Sequence, residues 1–156
     1  MEIKIVEGDL LDQQTECIVN AWNTQIIPWW LLIPHGVSGA IKKRGGYQPF
    51  FEIAKYGILK PGTAVISKAG RLPFKCIIHV ASINYFWCGS KESISKSVAN
   101  AIDLAKKEGI KSISFPILGA GTGGFNPQQA EELMLGALHL LDYNGEVVLV
   151  RFSRAK

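Results

Sequence analysis

SISFPILGAGTGGFNPQQ, residues Ser112–Gln129, joins a buried strand, a glycine-rich loop and a capped helix start without spare residues. The apolar run Ile113–Leu118 delivers the chain to Gly119, Gly121, Gly123 and Gly124. Asn126 then stands as a helix cap, with Pro127 at the first helical position and Gln129 at the third, close to a capping box. Four glycines within residues 119–124 leave backbone N–H groups free to turn inward, with no Cβ to keep an anion at a distance. A phosphate beside a helix N-terminus also gains from the helix dipole. The competing reading of this loop, taken alone, is a tight strand-to-helix turn with no ligand.

Working outward, short apolar strands alternate with striped helices. Strands are expected at Glu2–Val6, Cys17–Asn20, Thr63–Ser67, Cys76–Ala81, Ser112–Pro116 and Glu146–Phe152, and helices at Val37–Arg44, Pro49–Tyr56, Lys91–Glu108 and Pro127–Asp142. Ile94, Val98, Ala101, Ile102 and Ala105 make one apolar stripe on the third helix, which Gly109 stops. Ala130, Leu133, Ala137, Leu138 and Leu141 make the corresponding stripe on the fourth. Helices of this kind between short strands imply a sheet covered on both faces, an α/β fold. No repeat or linker interrupts the chain, so residues 1–156 are read as a single domain.

The 156 residues are enough to bury a core without disulfides or metals, and 47% hydrophobic with 19% charged residues describes a soluble globular protein. The net charge of +4 suits an anionic ligand without choosing between a dinucleotide and a nucleic acid. Its basic clusters, Lys42-Lys43-Arg44 and Lys106-Lys107, fall at expected helix C-termini, where cations offset the dipole. No aromatic and basic interleaving of the RNA-recognition type is present. Cys17, Cys76 and Cys88 have no metal-like spacing; Cys17 and Cys76 read as buried strand thiols. An odd count without a signal peptide points to a reducing cytoplasm, and the apolar stretch Gln25–Pro34 is too short to span a bilayer.

A second group of motifs lies near the N-terminus. Gly8-Asp9-Leu10 follows the first strand, and Cys17–Val19 runs into Asn20-Ala21-Trp22-Asn23. Gly36-Val37 enters the first helix, and Leu72–His79 reads LPFKCIIH. With the glycine loop, these four motifs stand in the order of the macro domain family, which the chain resembles over nearly its whole length. The resemblance implies a three-layer α-β-α fold with a mixed, mostly parallel sheet, and ADP-ribose as ligand. Many relatives carry a further C-terminal helix; this sequence stops soon after its last expected strand, so that helix is expected to be absent.

By that resemblance Asp9 holds the adenine amine, with the Leu10 N–H beside it, and Phe152 stacks on the base; a turn cap and a core phenylalanine are the alternatives for Asp9 and Phe152. Asn23 matches the asparagine at the distal ribose, whereas Asn20 reads as a structural residue bonding the backbone. Gly36, Val37 and Ser38 form one phosphate wall; Gly119, Ala120, Gly121, Thr122, Gly123, Gly124 and Phe125 form the other.

Three departures bear on catalysis. Ser38 stands where one large branch of family hydrolases has an aspartate, and Gly123 where they have an aromatic. Ile33-Pro34-His35-Gly36 replaces the usual glycine run, behind the Trp-rich insertion Thr24–Pro34, which reads as a lid, a docking patch or extra core. The second loop is closer to the macro histone variant and reader branch. His35 beside the diphosphate is a candidate acid or base, a phosphate donor or a solvent-facing residue. His79 reads as a satisfied interior histidine and His139 as structural. The expected function is binding of ADP-ribose or an ADP-ribosyl derivative, with Asn23 and His35 as candidate catalytic residues if it hydrolyses the adduct. The alternatives are a non-catalytic reader and, less favoured, single-stranded RNA binding. No cofactor or metal is implied; the expected partner is ADP-ribose or an ADP-ribosylated protein.

Overall fold

The computed structural model describes residues 1–23, 36–57, 59–83, 90–120 and 125–153. Strands β1 (Glu2–Gly8), β2 (Cys17–Asn23), β3 (Ala64–Ser67), β4 (Cys76–Ile83), β5 (Ser112–Pro116) and β6 (Glu146–Phe152) form one sheet in the order β1-β6-β5-β2-β4-β3. Every neighbouring pair is parallel except β3 with β4. The helices are α1 (Gly36–Gly45), α2 (Gln48–Ala54), α3 (Lys91–Lys107) and α4 (Pro127–His139), with a short 3-10 turn at Leu10–Asp12 that sequence reading did not anticipate.

Alternation along β6 shows how the layers divide. Val147 and Leu149 join the core under α3 and α4 with Ile94, Val98, Phe115, Met134 and Leu138. Val148 and Val150 join the core under α1 and α2 with Ile18, Ile41, Phe50 and Ile77. Both faces of β6 are therefore covered, which is why it reads Val147-Val148-Leu149-Val150 without alternation, whereas the edge strand β1 is largely exposed. The result is the expected three-layer α-β-α fold with a mixed, mostly parallel sheet.

Local signals explain the element ends. Ser90 and Ser93 make a reciprocal capping box at the start of α3, and Gly109 closes that helix at φ +68°. Asn126 caps α4 by accepting from the Gln128 N–H at 2.9 Å. α4 ends at His139 rather than Asp142, because the chain must leave the helix to bury Tyr143, whose hydroxyl donates to the Ile110 carbonyl at 2.6 Å. The buried face of α4 is centred on Ala130, Met134 and Leu138. Leu133, Ala137 and Leu141, expected in the buried stripe, are only partly buried and line an open groove between α3 and α4. The amino-terminal sheet edge is tied by Glu16, which accepts from the Lys111 N–H at 2.8 Å and pairs with Lys75 at 2.9 Å. Among the described residues no helix is long and apolar enough to cross a membrane.

Candidate functional site

β1, β6, β5 and β2 are consecutive parallel neighbours, so their carboxyl ends lie along one sheet edge. In order, these ends lead to Asp9, Phe152, the Gly119 loop and Asn23. At about 4.8 Å per strand, the row from β1 to β2 spans about 14 Å. Carboxyl edges of parallel sheets are where open α/β folds hold ligands, because loops and helix N-termini converge there. The topology thus brings Gly8-Asp9-Leu10, Phe152, the start of the Gly119 loop and the end of Asn20–Asn23 to one edge, whereas Leu72–His79 enters β4 from the opposite, amino-terminal edge.

At the β1 end, Gly8 pairs with Phe152, and the Ser153 N–H donates to the Gly8 carbonyl at 3.1 Å. Phe152 is 76% exposed, which excludes the core reading of this ring. Asp9 is half-buried and caps the 3-10 turn, its Oδ1 accepting from the Leu11 N–H at 2.8 Å. Its Oδ2 lies 3.7 Å from the Arg44 guanidinium, which also pairs with Asp12 at 3.1 Å. Leu10 buries its side chain. Sequence reading missed the neighbouring pair in which Arg151 donates to both oxygens of Glu131, at 2.7 and 2.8 Å. That fork holds the Glu131 carboxyl below the usual carboxylate range and fixes the strand end beside Phe152 against α4.

At the β5 end, Gly119 has φ +82°, and a Cβ there would stand 2.5 Å from Ile94 Cδ1. Only glycine fits that turn. The Phe125 N–H donates to the Gly119 carbonyl at 3.0 Å, closing the base of the loop, with Ala120 bridged to Phe125. The Phe125 ring packs on the α3/α4 core, leaving its backbone to the loop. Gly121, Thr122, Gly123 and Gly124 lie outside the described residues.

At the β2 end, pairing with β4 shifts register between Trp22 and Asn23. α1 begins at Gly36; Val37 packs on the α1/α2 core, and Ser38 is half-buried. Ser38 Oγ donates to Asn20 Oδ1 at 2.9 Å and lies 3.3 Å from the Ala21 carbonyl. The Asn20 amide nitrogen lies 3.0 Å from His79 Nδ1, and His79 Nε2 lies 2.7 Å from Ser67 Oγ. Asn20 was expected to bond the backbone; in the fold its amide is held by side chains of α1 and β4. His79 is a satisfied interior histidine, as expected, and burial pushes its pKa down to about 3. His139 is exposed at the end of α4. The Thr24–Pro34 insertion and His35 lie outside the described residues, as does the Asn23 side chain. Among the described residues no three His, Cys, Asp or Glu side chains gather as a metal site.

A model of the macro domain family matches residues 19–134. The chain belongs to the macro domain family. It is 33% identical over 142 residues to a macro domain-containing protein of Caldanaerobacter subterraneus, covering 86% of this chain and 77% of that one. It is 30% identical over 144 residues to the O-acetyl-ADP-ribose deacetylase of Citrobacter rodentium, covering 87% and 77%. A mutant macrodomain of Oceanobacillus iheyensis, solved with ADPR, superposes with a TM-score of 0.78 at 27% identity, covering 96% of this chain and 84% of that one.

Proposed function

We propose that this domain binds ADP-ribose, free or attached to another molecule, along the carboxyl edge formed by β1, β6, β5 and β2. The observation that carries this reading is the pairing of an exposed aromatic with a carboxylate at adjacent strand ends. Phe152 is 76% exposed opposite Gly8, and Asp9 follows directly. A flat apolar ring beside a hydrogen-bond acceptor suits an adenine with its exocyclic amine. The Leu10 N–H adds a donor. The α1 start at Gly36, Val37 and Ser38 and the loop Gly119–Phe125 supply N–H groups for the diphosphate, and Asn23 takes the distal ribose.

The reading extends to hydrolysis of an ADP-ribosyl ester, either on an acidic side chain or as a related small adduct. Similarity to a protein named O-acetyl-ADP-ribose deacetylase favours it. Asn23 then orients the ribose, and His35 is the titrating group nearest in sequence to the diphosphate wall. Cys17 and Cys76, thiols with their sulfurs 3.3 Å apart, suit a reducing cytoplasm.

One experiment tests both parts: calorimetry with ADP-ribose, alongside incubation with O-acetyl-ADP-ribose and with a mono-ADP-ribosylated acidic-residue conjugate. Binding together with release of ADP-ribose is the expected result. Asn23→Ala should slow release much more than it weakens binding, because misplacing a reacting centre costs rate steeply. Binding without release over hours makes the domain a reader; absence of binding removes the proposal.

A further inference from the structure

Two thiols stand side by side at the amino-terminal edge of the sheet, opposite the candidate ligand site. Cys17 is the first residue of β2 and Cys76 the first of β4, and they are in-register partners on these parallel neighbours. Both join the core under α3 and α4, both are free, and their sulfurs lie 3.3 Å apart. The two strand starts are clamped beside them. The Lys75 N–H donates to the Glu16 carbonyl at 2.8 Å, and the Lys75 ammonium meets the Glu16 carboxylate at 2.9 Å. Neighbouring strands run about 4.8 Å apart, inside the Cα separation that a disulfide spans, and in-register side chains share one face. Closing a bond therefore requires the sulfurs to approach by about 1.3 Å, with no change of register.

The two thiols differ in reach and in acidity. Cys17 is fully buried, whereas Cys76 is 8% exposed, so a small solute arriving from solvent meets Cys76 first. Once ionised, Cys76 accepts the Cys17 S–H. That bond, with a smaller contribution from the Lys75 charge, holds the Cys76 thiol below its ordinary range against burial and the carboxylates of Glu108 and Glu16. The same bond, together with burial, pushes the Cys17 thiol up. Cys76 thus ionises first while Cys17 keeps its proton, the division between an attacking and a resolving cysteine.

We propose that Cys17 and Cys76 form an oxidative modification site, which a small peroxide converts to a disulfide that staples β2 to β4. The Cys76 sulfur, having given its proton to water, attacks one peroxide oxygen; the S–O bond forms, the O–O bond breaks and hydroxide leaves. The Cys17 sulfur then attacks the Cys76 sulfur. The S–S bond forms, the S–O bond breaks, and the Cys17 proton leaves with that oxygen as water. Two thiols lose two electrons and one peroxide gains them, giving one disulfide and two waters. The bridge joins residues 59 apart in sequence, which restricts the unfolded chain and stabilises the fold. Cys17 and Asn23 are opposite ends of β2, about 20 Å apart, so the carboxyl edge keeps its geometry. The inference is independent of the ADP-ribose reading.

The test uses the full chain with Cys88, which lies outside the described residues, changed by Cys88→Ser so that only this pair remains. Folded, reduced protein is treated with hydrogen peroxide and read by intact mass, thiol titration in denaturant and a peptide map. The expected result is loss of both thiols and of two hydrogens in mass, with Cys17 and Cys76 linked within one chain. The melting temperature should rise by about 5–15 °C and return on addition of dithiothreitol. Cys17→Ser should leave Cys76 as a sulfenic acid that dimedone captures, and Cys76→Ser should leave Cys17 an unreacted thiol. Thiols that react only after unfolding, or a link found only between two chains, overturn the proposal. Dimedone capture at Cys17 in Cys76→Ser overturns the order of attack, and an unchanged melting temperature in the linked protein overturns the staple. Should a variant fail to fold, the peptide map of the peroxide-treated natural chain decides alone.

Discussion

Asp9→Ala separates two uses of one carboxylate. Its Oδ1 accepts from the Leu11 N–H at 2.8 Å, and loss of such a cap costs about 1 kcal/mol. Its Oδ2 is 3.7 Å from Arg44, but the two side chains are 39% and 43% exposed, so solvent screening leaves that pair worth at most a few tenths of a kcal/mol. The folded state should therefore lose about 1 kcal/mol, a melting shift of about 2–4 °C for a chain of this size. Loss of the bond from the adenine amine to a partly buried carboxylate should cost about 1.5–3 kcal/mol, or roughly tenfold to 150-fold in affinity. Asp9→Asn keeps an oxygen for the Leu11 N–H and removes the charge, so it should spare most of the stability while still weakening adenine. Calorimetry with ADP-ribose, ADP and ribose 5-phosphate reads the binding part, and thermal denaturation reads the cap. The two adenine ligands should weaken together and ribose 5-phosphate should not. A lowered melting temperature with unchanged ADP-ribose affinity would show that Asp9 is a turn cap and nothing more.

Two further outcomes follow from backbone and burial. Gly119→Ala should destabilise by about 2–4 kcal/mol in urea unfolding, because φ is +82° and the new Cβ would press on the fully buried Ile94; a loss below about 1 kcal/mol would refute the conformation given to this turn. His79 stays neutral in the fold down to a pKa of about 3, against 6.5 for the ordinary group, so the unfolded chain takes up its proton first as pH falls. Stability is thus fully present above about pH 6.5 and declines below it by up to about 1.4 kcal/mol per pH unit toward pH 3. The effect is cleanest between about pH 6 and 5, before carboxylates such as Glu131 titrate, and His79→Gln should flatten it there. An unchanged slope in that variant assigns the acid sensitivity elsewhere.

Signals confined to one element were legible. The α3 stripe of Ile94, Val98, Ala101, Ile102 and Ala105 is buried in full, and Asn126 caps α4 where its position before Pro127 indicates. The phase of α4 was not legible, because Ala130, Leu133, Met134, Ala137, Leu138 and Leu141 surround more than one side of that helix. Contact with the core under α3 selects the side carrying Met134, whose sulfur accepts from the Leu118 N–H at 3.3 Å. The same limit explains β2. Its apolar run ends at Val19, yet the strand continues to Asn23 because β4 pairs with it and His79 takes up the polar Asn20.

At the candidate site, residue types could be read from sequence while their proton roles could not. Asp9 was visible as either a cap or a ligand acceptor, and the fold shows that capping uses one oxygen while the other faces Arg44. Phe152 could be core or platform until its exposure was known. Ser38 could be read only as a hydroxyl standing where one branch of the family has an aspartate. Its partners lie on β2, and theirs on β4 and β3, separated by 18, 59 and 12 residues along the chain. Such a line is assembled only when the sheet forms, and its members must then agree on which of them donates. A side chain that is ambiguous in isolation acquires its partners only there, Ser38 through its bond to Asn20 and Asn20 through its contact with His79.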